Sequence, residues 1–279
     1  MCVLTTDRQL NDMVRFCCDP VEFKPFTVDP TFDIGDYNVT PITYQHLLLE
    51  NRKDGKHPSL IGPVLIHEKK TTETYSVFSG TLKSLNPDLG KVLAFGTDGE
   101  KALVTAFRNN FERATNLLCD LHLKANVESK LQEFGITGKV KETIVADIFG
   151  RQRGTVFEAG LADASSRDMF VKQLGQLEEP WSALHQNGRN FFKWFHNHKS
   201  VDFVNCVISP VRQRAGLGCP PEKFTTNRSE ATNNVLQDFV SRESYGKKKV
   251  DEYSFASSVE KLVKIQKEDV ELAVVGRGE

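Results

Sequence analysis

Apolar and polar positions are most regularly patterned in residues 91–122, where they predict a strand, a helix and a second strand. Residues 92–96 form a short apolar run that leads to Asp98, the pattern of a buried strand with an aspartate at its C-terminal end. Residues 100–111 place apolar side chains at helical spacing, and residues 114–119 predict the second strand. Strand, helix and strand make a parallel βαβ unit. Ligands bind such sheets at the C-terminal strand ends, so Asp98 is the first candidate for chemistry.

A β-hairpin is predicted upstream of this unit. Residues 27–33 and 37–49 are rich in β-branched and apolar residues, and a Gly-containing turn separates them. Asp29 falls within the first strand, where a carboxylate is disfavoured and needs a partner if it is buried. Both an edge position facing water and a ligand position at the centre of the sheet fit this pattern. Residues 59–67 predict another strand, although Pro63 argues against a central one.

The pattern changes after residue 141. Residues 141–199 show helical stretches and no predicted strand, and residues 209–221 are predicted to form a loop. The segment 181–198 is rich in aromatic residues, among them Trp194, whose ring suits either core packing or stacking on a nucleobase. We therefore predict a mainly helical insertion with a small core of its own.

Glu230 lies in the first turn of the next predicted helix. A Thr-Asn pair just before it supplies the N-cap, and a packed helix face is predicted from residues spaced four apart. Glu230 falls about 100° round from that face, at the edge of the core. The helix dipole alone also explains a first-turn glutamate. The residues of the predicted packed face are Ala231, Val235 and Phe239.

Composition and charge narrow the possible functions. The chain has 279 residues and a formal net charge of −1, so it does not bind polyanions through bulk charge. It has no apolar run of the ~18 residues that a membrane helix needs. Six cysteines without framework spacing predict reduced thiols in an intracellular protein. Residues 207–250 contain eight basic and four acidic side chains, a local surplus that fits either phosphate binding or a solvated surface.

Three carboxylates stand out at the predicted element ends: Asp29, Asp98 and Glu230. A two-metal phosphoryl-transfer site needs such a set, because two ions about 3.5–4 Å apart must share oxygen ligands. Mg²⁺ prefers carboxylate oxygens and keeps waters that a phosphate can displace. The spacing of these three residues makes such a site geometrically possible.

Four motifs occur in the order found in one known family. They are TVDPTFDIGDYNVTP, FGTDGEKALVTAF, CDLHLKAN and TTNRSEATNNVL. Together they resemble the DDE transposase domain of Mutator-like elements, in which a strand carries the first acid, a second strand ends in Asp-Gly, a Cys-x-x-His signature follows, and a helix carries the third acid. The resemblance spans residues 23–239. It implies an α/β, RNase H-like mixed sheet flanked by helices and interrupted by a mainly helical insertion.

The resemblance also implies a function. Asp29, Asp98 and Glu230 would be the catalytic triad and the ligands of two Mg²⁺ or Mn²⁺ ions. The reaction would be hydrolytic cleavage at an element end followed by attack of the freed 3′ hydroxyl on target DNA, that is, cut-and-paste transposition. DNA would be the partner, in a homodimer or larger assembly in the nucleus, with no role for a membrane. The candidate DNA-binding residues are Arg228, Lys247, Lys248, Lys249 and Trp194.

The Cys-x-x-His signature needs separate treatment. Cys119 and His122 make half of a zinc site, and His196, His198 or Cys219 would have to complete it. We do not expect structural zinc. Instead we expect Cys119 to be a small buried residue, and His122 to orient the site or contact the scissile phosphate.

The predicted organisation follows from these assignments. Residues 1–20 are an N-terminal remnant, 21–140 the first part of the catalytic core, 141–224 the insertion, 225–270 the second part of the core and 271–279 a tail. The family usually carries an N-terminal, often zinc-binding, DNA-binding region, and nothing in this sequence resembles one. The alternative to an active enzyme is therefore a domesticated or truncated remnant that binds DNA or protein without catalysis.

Overall fold

The computed structural model describes residues 1–30, 32–34, 37–218, 222–243 and 251–278. The strands within these ranges are β1 (Cys2–Leu4), β2 (Phe26–Val28), β3 (Phe32–Ile34), β4 (Tyr37–Gln45), β5 (Ser59–His67), β6 (Ala94–Thr97), β7 (Thr115–Leu118), β8 (Arg151–Arg153) and β9 (Val156–Glu158). The helices are α1 (Asp7–Cys17), α2 (Thr72–Leu85), α3 (Lys101–Asn110), α4 (Asp120–Glu133), α5 (Gly138–Phe149), α6 (Arg167–Gln176), α7 (Glu178–Leu184), α8 (Gly188–His198), α9 (Ser200–Cys206), α10 (Ser209–Arg214), α11 (Asn227–Glu243) and α12 (Glu252–Val274). Two short 3-10 helices span Pro87–Lys91 and Leu161–Asp163.

Several helices begin at a residue that caps their free N–H groups. Thr6 caps α1 in a reciprocal capping box with Gln9. Thr71, Ser166 and Asp251 accept hydrogen bonds at the starts of α2, α6 and α12. The first N–H groups of a helix have no partner inside it, so these side chains define each start locally.

The chain divides into two compact units. The first comprises Met1–Ala114 and Thr226–Glu279, and the second is Thr115–Thr225. The sequence places the insertion at residues 141–224, whereas the second unit of the structure begins at Thr115. Residues 1–20, predicted only as a remnant, contribute β1 and α1 to the first unit.

A mixed sheet of six strands forms the centre of the first unit. Its order is β1-β5-β4-β2-β6, and β3 pairs with β4. The neighbours are antiparallel except β2 and β6, which are parallel. Apolar residues of α1, α2 and α3 pack on one face of the sheet and those of α11 and α12 on the other. The prediction of an α/β unit with a mixed sheet flanked by helices is confirmed.

The second unit is mainly helical and has an aromatic core. Trp181 is fully buried and lies 5.5–6.0 Å, between ring centroids, from three phenylalanines of α8. Its indole N–H donates to Asp147 Oδ2 at 2.9 Å. The aromatic-rich segment 181–198 is divided between two helices, because α7 ends at Leu184 and α8 starts at Gly188.

The absence of strands between residues 141 and 199 is also contradicted. Strands β8 and β9 pair as a small antiparallel sheet. Each has three residues, and β8 is the exposed polar run Arg-Gln-Arg. Strands that are so short and so solvated leave no apolar periodicity for a sequence pattern to detect.

The position of Asp29 also differs from the prediction. Strand β2 ends at Val28, so Asp29 follows the strand and does not lie within it. Pro30 comes next, and a proline lacks the N–H that would continue the ladder. Asp29 is therefore an acid at a strand end, as Asp98 is.

Strand β5 is interior, although it contains Pro63. It lies between β1 and β4, and its pairing with β4 skips from Ile61 to Val64 at an irregularity. Pairing with β1 starts only at Val64. Pro63 therefore sits where neither neighbour needs its N–H, which is how a sheet accommodates proline.

Candidate active site

The two aspartates lie at matching positions on adjacent parallel strands. Thr27 of β2 is in register with Gly96 of β6, so two residues further along Asp29 is level with Asp98. Neighbouring strands are about 4.8 Å apart, which brings the two acids to one edge of the sheet. Asp29 is buried, with 7% of its surface exposed, and its N–H donates to the Pro41 carbonyl at 3.4 Å. The structure thus brings two of the three predicted acids together.

A tight turn after β6 holds Asp98. The Gly99 N–H donates to Thr97 Oγ1 at 3.2 Å, and the Glu100 N–H donates to Asp98 Oδ1 at 3.0 Å. Gly99 has a φ of +101°, a conformation that other residues rarely adopt. The Asp-Gly pair is therefore required by the turn itself, and Asp98 is half-buried at its start.

Glu100 is an acid of this edge that the sequence analysis missed. It is half-buried and accepts a hydrogen bond from the Tyr75 hydroxyl at 3.3 Å. Burial raises the pKa of the Glu100 carboxyl, the Tyr75 hydrogen bond opposes that rise, and the charge of Asp98 adds to it. The signal in the sequence is the run Asp-Gly-Glu, which delivers two carboxylates to one strand end.

Glu230, the third predicted acid, lies in the first turn of α11. Its N–H donates to the Thr226 carbonyl at 2.9 Å, and its Oε1 accepts from Thr226 Oγ1 at 3.3 Å. The neighbouring Ser229 bonds to Thr27 and to Thr43, on strands β2 and β4. The third-acid turn is therefore attached to the strand that ends at Asp29.

The buried face of α11 is not the predicted one. Ala231 is exposed and 53% of Val235 is exposed, whereas Phe239, the third residue of the predicted face, is partly buried against the apolar cluster. The helix instead buries a face that starts polar and becomes apolar, at Ser229, Thr232, Asn233, Leu236 and Val240. A four-residue spacing describes several faces equally well, so tertiary packing decided between them. Glu230 is half-buried beside the polar part of this face.

The chemistry of this donor set suits a hard cation. Asp29, Asp98 and Glu230 offer carboxylate oxygens, the ligands that Mg²⁺ and Mn²⁺ prefer. Across the ranges that the structure describes, no group of three or more His, Cys, Asp or Glu side chains stands at metal-binding spacing. The aspartate pair is thus assembled by the sheet register, and Glu230 would have to turn away from Thr226 to join it.

Cys119 and His122 lie in the second unit. Cys119 is buried at the start of α4, as predicted, and His122 is half-buried in its first turn. His196 and His198, proposed partners in a zinc site, are exposed on α8. Cys219 lies outside the described residues.

Asp120, the residue that follows Cys119, was overlooked in the motif analysis. It is buried, pairs with Arg212 at 2.8 Å and accepts the Phe224 N–H at 2.9 Å. Arg212 also pairs with the buried Asp163 at 3.1 Å. Burial raises the pKa of the Asp120 carboxyl, and the Arg212 charge opposes that rise. The Cys-x-x-His motif therefore contributes a structural ion pair to the second unit.

The nucleic-acid candidates have varied environments. Arg228 is half-buried and donates to Gln45 Oε1 at 2.8 Å, so it supports the end of β4. Trp194 is partly buried against Phe191, at 5.6 Å between ring centroids, and lies 5.7 Å from the Lys130 ammonium. The three lysines at 247–249 lie outside the described residues.

No protein-family model matches the chain, and no curated protein matches it at a significant level. None of the helices in the described ranges combines the length and the apolar composition that a bilayer crossing requires.

Proposed function

We propose that the first unit is a metal-dependent phosphoryl-transfer domain of the DDE type, similar to that of Mutator-like transposases, that cleaves and joins DNA strands. The parallel register that levels Asp29 with Asp98 carries this proposal. Two carboxylates at neighbouring strand ends are a disfavoured arrangement unless a cation or a proton compensates them. Acidic side chains placed together in this way are candidates for a functional site.

The strand arrangement supports an RNase H-like fold. The strand with the first acid, β2, lies inside the sheet, antiparallel to β4 on one side and parallel to β6 on the other. The parallel neighbour carries the second acid, and α11, packed on one face of the sheet, carries the third. One acid after an interior strand, one after its parallel neighbour and one on a helix is an arrangement that supports the proposed triad.

The roles of the acids follow from their positions. A pair of Mg²⁺ ions would supply charge neutralisation for the attacking and leaving oxygens. Asp29 and Asp98 would hold such cations from the strand ends, and Glu230 from the helix. In the cleavage step a water oxygen bonds to phosphorus, the bond to the 3′ oxygen breaks, and the 3′ hydroxyl is released. In the joining step that hydroxyl attacks a phosphorus of target DNA, whose own 3′ oxygen leaves.

The partners of the chain follow from the same proposal. DNA would be bound at element ends and at the target, by a homodimer or larger assembly, in the nucleus. Arg228 and Trp194 are partly engaged with the protein. Lys247, Lys248 and Lys249 are proposed as phosphate contacts together with them.

A second candidate function is a DNA-binding or protein-binding module without catalysis. One observation favours it: two acids of the set are engaged within the protein, Asp98 with the Glu100 N–H and Glu230 with the Thr226 hydroxyl. A descendant that had lost its cations would keep its carboxylates in such bonds.

Cleavage of nicked or branched DNA by the purified protein with Mg²⁺ or Mn²⁺ separates the two candidates. Asp98→Asn is the decisive variant, because asparagine keeps the oxygen that accepts the Glu100 N–H but removes the negative charge. Asp88→Asn is a matched control, since Asp88 is exposed and forms a surface ion pair with Lys91. We expect metal-dependent cleavage in the wild type and Asp88→Asn and none in Asp98→Asn. DNA binding without cleavage in the wild type would favour the second candidate.

A further inference from the structure

Three buried hydroxyl groups join α11 to the sheet. Thr27 Oγ1 lies 2.5 Å from Thr43 Oγ1, Thr43 Oγ1 donates to Ser229 Oγ at 2.8 Å, and Thr27 is also hydrogen-bonded to Ser229. All three residues are at most 8% exposed. Each hydroxyl has one hydrogen to donate, so three hydroxyls in mutual contact can close a ring in which each donates once and accepts once. Such a ring needs no water or further partner.

Two members of the ring lie close in sequence to two of the proposed catalytic acids. Ser229 directly precedes Glu230 in α11. Thr27 comes two residues before Asp29, and side chains two residues apart along an extended chain point to the same face. The ring therefore links the turn that carries the third acid to the strand that delivers the first.

The rest of α11 is attached in a different way. Leu236 and Val240 pack in the apolar cluster with β4, β5 and α12. Apolar contact is not directional and tolerates small shifts, whereas hydrogen bonds fix both distance and angle. A polar ring at the first turn thus sets the position of that turn more closely than packing would.

The next turn of α11 contains a second buried polar side chain. Asn233, four residues after Ser229, is 3% exposed, and within the described part of the chain neither atom of its amide has a hydrogen-bond partner. A buried amide without partners destabilises the fold, and an apolar side chain would serve stability better. Polar groups kept at such a cost are typical of functional sites.

We infer that Ser229 is a positioning residue, which through Thr27 and Thr43 fixes the first turn of α11 on β2 and β4, the position from which the Glu230 side chain would turn to a cation held by Asp29 and Asp98. This inference rests on the proposed function of the triad. The ring touches neither substrate nor cation; it acts through the helix turn.

Cation binding measures the inference without depending on turnover. Tb³⁺ is the probe, a hard cation that takes carboxylate oxygens and whose luminescence reports binding. In Ser229→Ala we expect the Tb³⁺ affinity to fall about tenfold, whereas Ser229→Thr, which keeps the hydroxyl, retains most of it. Ser241→Ala is the matched control, because Ser241 is an exposed serine of the same helix whose hydroxyl donates to the Gln237 carbonyl of that helix. Thermal melting of each variant verifies that it is folded.

DNA cleavage supplies a second readout. Ser229→Ala should lower kcat about 10- to 100-fold and leave KM for DNA unchanged, because the ring does not contact substrate. Thr43→Val should reproduce this effect, and the double variant should be no worse than either single one, since residues that act as one unit are not additive.

The outcomes separate the two proposals. Wild-type protein that neither binds Tb³⁺ nor cleaves DNA overturns the triad, and the positioning role with it. Wild-type protein that binds and cleaves, with Ser229→Ala equal to it in both assays, overturns the positioning role alone. Equal losses in Ser229→Ala and Ser241→Ala would show a general effect on the helix and would also overturn it.

Discussion

Replacing Arg212 tests whether the buried ion pairs hold the second unit together. The guanidinium is 1% exposed and bonds Asp120 at 2.8 Å and Asp163 at 3.1 Å. Arg212→Met keeps much of the side-chain volume but removes the charge. Two buried carboxylates then lose the cation that is bonded to both of them, while the Lys223 charge still acts on Asp120. Removing one partner of a buried ion pair is the most costly way to break such a network.

The two charged hydrogen bonds give the size of the effect. At about 1.5–3 kcal/mol each, they sum to about 3–6 kcal/mol. Breaking a buried pair from one side costs about 3–5 kcal/mol, in the same range. For a unit of about a hundred residues this lowers the melting midpoint by more than about 10 °C.

Tryptophan fluorescence isolates the relevant transition. The protein has two tryptophans, Trp181 and Trp194, and both lie in the second unit. Urea unfolding followed by this signal therefore reports on the unit that contains Arg212. Arg214→Met is the matched control, because Arg214 is the same residue type on the same helix but is exposed.

The stability lost in Arg212→Met should depend on pH in a defined direction. Burial already raises the pKa of Asp120, and loss of the Arg212 charge should raise it further. A carboxyl whose folded pKa exceeds its unfolded value destabilises the fold once it ionises, as pH rises from about 4. The deficit of Arg212→Met should thus be largest at pH 7 and shrink towards pH 4. A deficit within about 1 kcal/mol of that of Arg214→Met at pH 7 would refute the reasoning, as would one that grows on acidification.

Two further predictions concern stability, one in the second unit and one in the first. Gly188→Ala should lower the free energy of unfolding by at least about 2 kcal/mol, since a Cβ there would lie 1.8 Å from the Trp181 carbonyl oxygen. At Gly175 a Cβ would meet no atom within 4 Å, so Gly175→Ala should stabilise α6 by about 0.5–1 kcal/mol. Urea unfolding followed by tryptophan fluorescence measures both variants, and a similar effect of the two changes would contradict the packing described. Burial lowers the pKa of the His46 imidazole in the first unit, so the unfolded chain binds its proton more readily, and the stability that the neutral ring contributes is lost as pH falls below about 6.5. Hydrogen exchange of the β4 amides from pH 7.5 to 5 should show a smaller loss of protection in His46→Gln than in the wild type; parallel losses would exclude His46 as the cause.

Local patterns located most of the elements. The apolar run at 59–67 matches β5 residue for residue, and the run that ends before Asp98 is β6 with its tight turn. Both predictions succeeded because the burial of a strand and the conformation of a tight turn depend on residues that are adjacent in the sequence. The same kind of pattern predicted the wrong buried face for α11. The exposed residues Ala231 and Val235 are four positions apart, as are the buried residues Leu236 and Val240. A single helix cannot show which of its faces meets a neighbour.

The candidate site was only partly visible in the sequence. The three acids were selected as residues at element ends and through a resemblance that stays a prediction. Glu100 was missed, because its half-buried position depends on Tyr75 of another helix. Asp120 was missed because its partner, Arg212, lies 92 residues further along the chain.

By itself the sequence determined the kinds of element, the strand that ends at Asp98, the turn that requires Gly99 and the helix that starts near Glu230. These depend on the size, polarity and backbone freedom of residues a few positions apart. Only the tertiary structure decided that Asp29 is level with Asp98 and that Ser229 bonds to β2. Strand register and helix placement are set by the burial and hydrogen bonding of groups far apart in the chain, which no local periodicity contains.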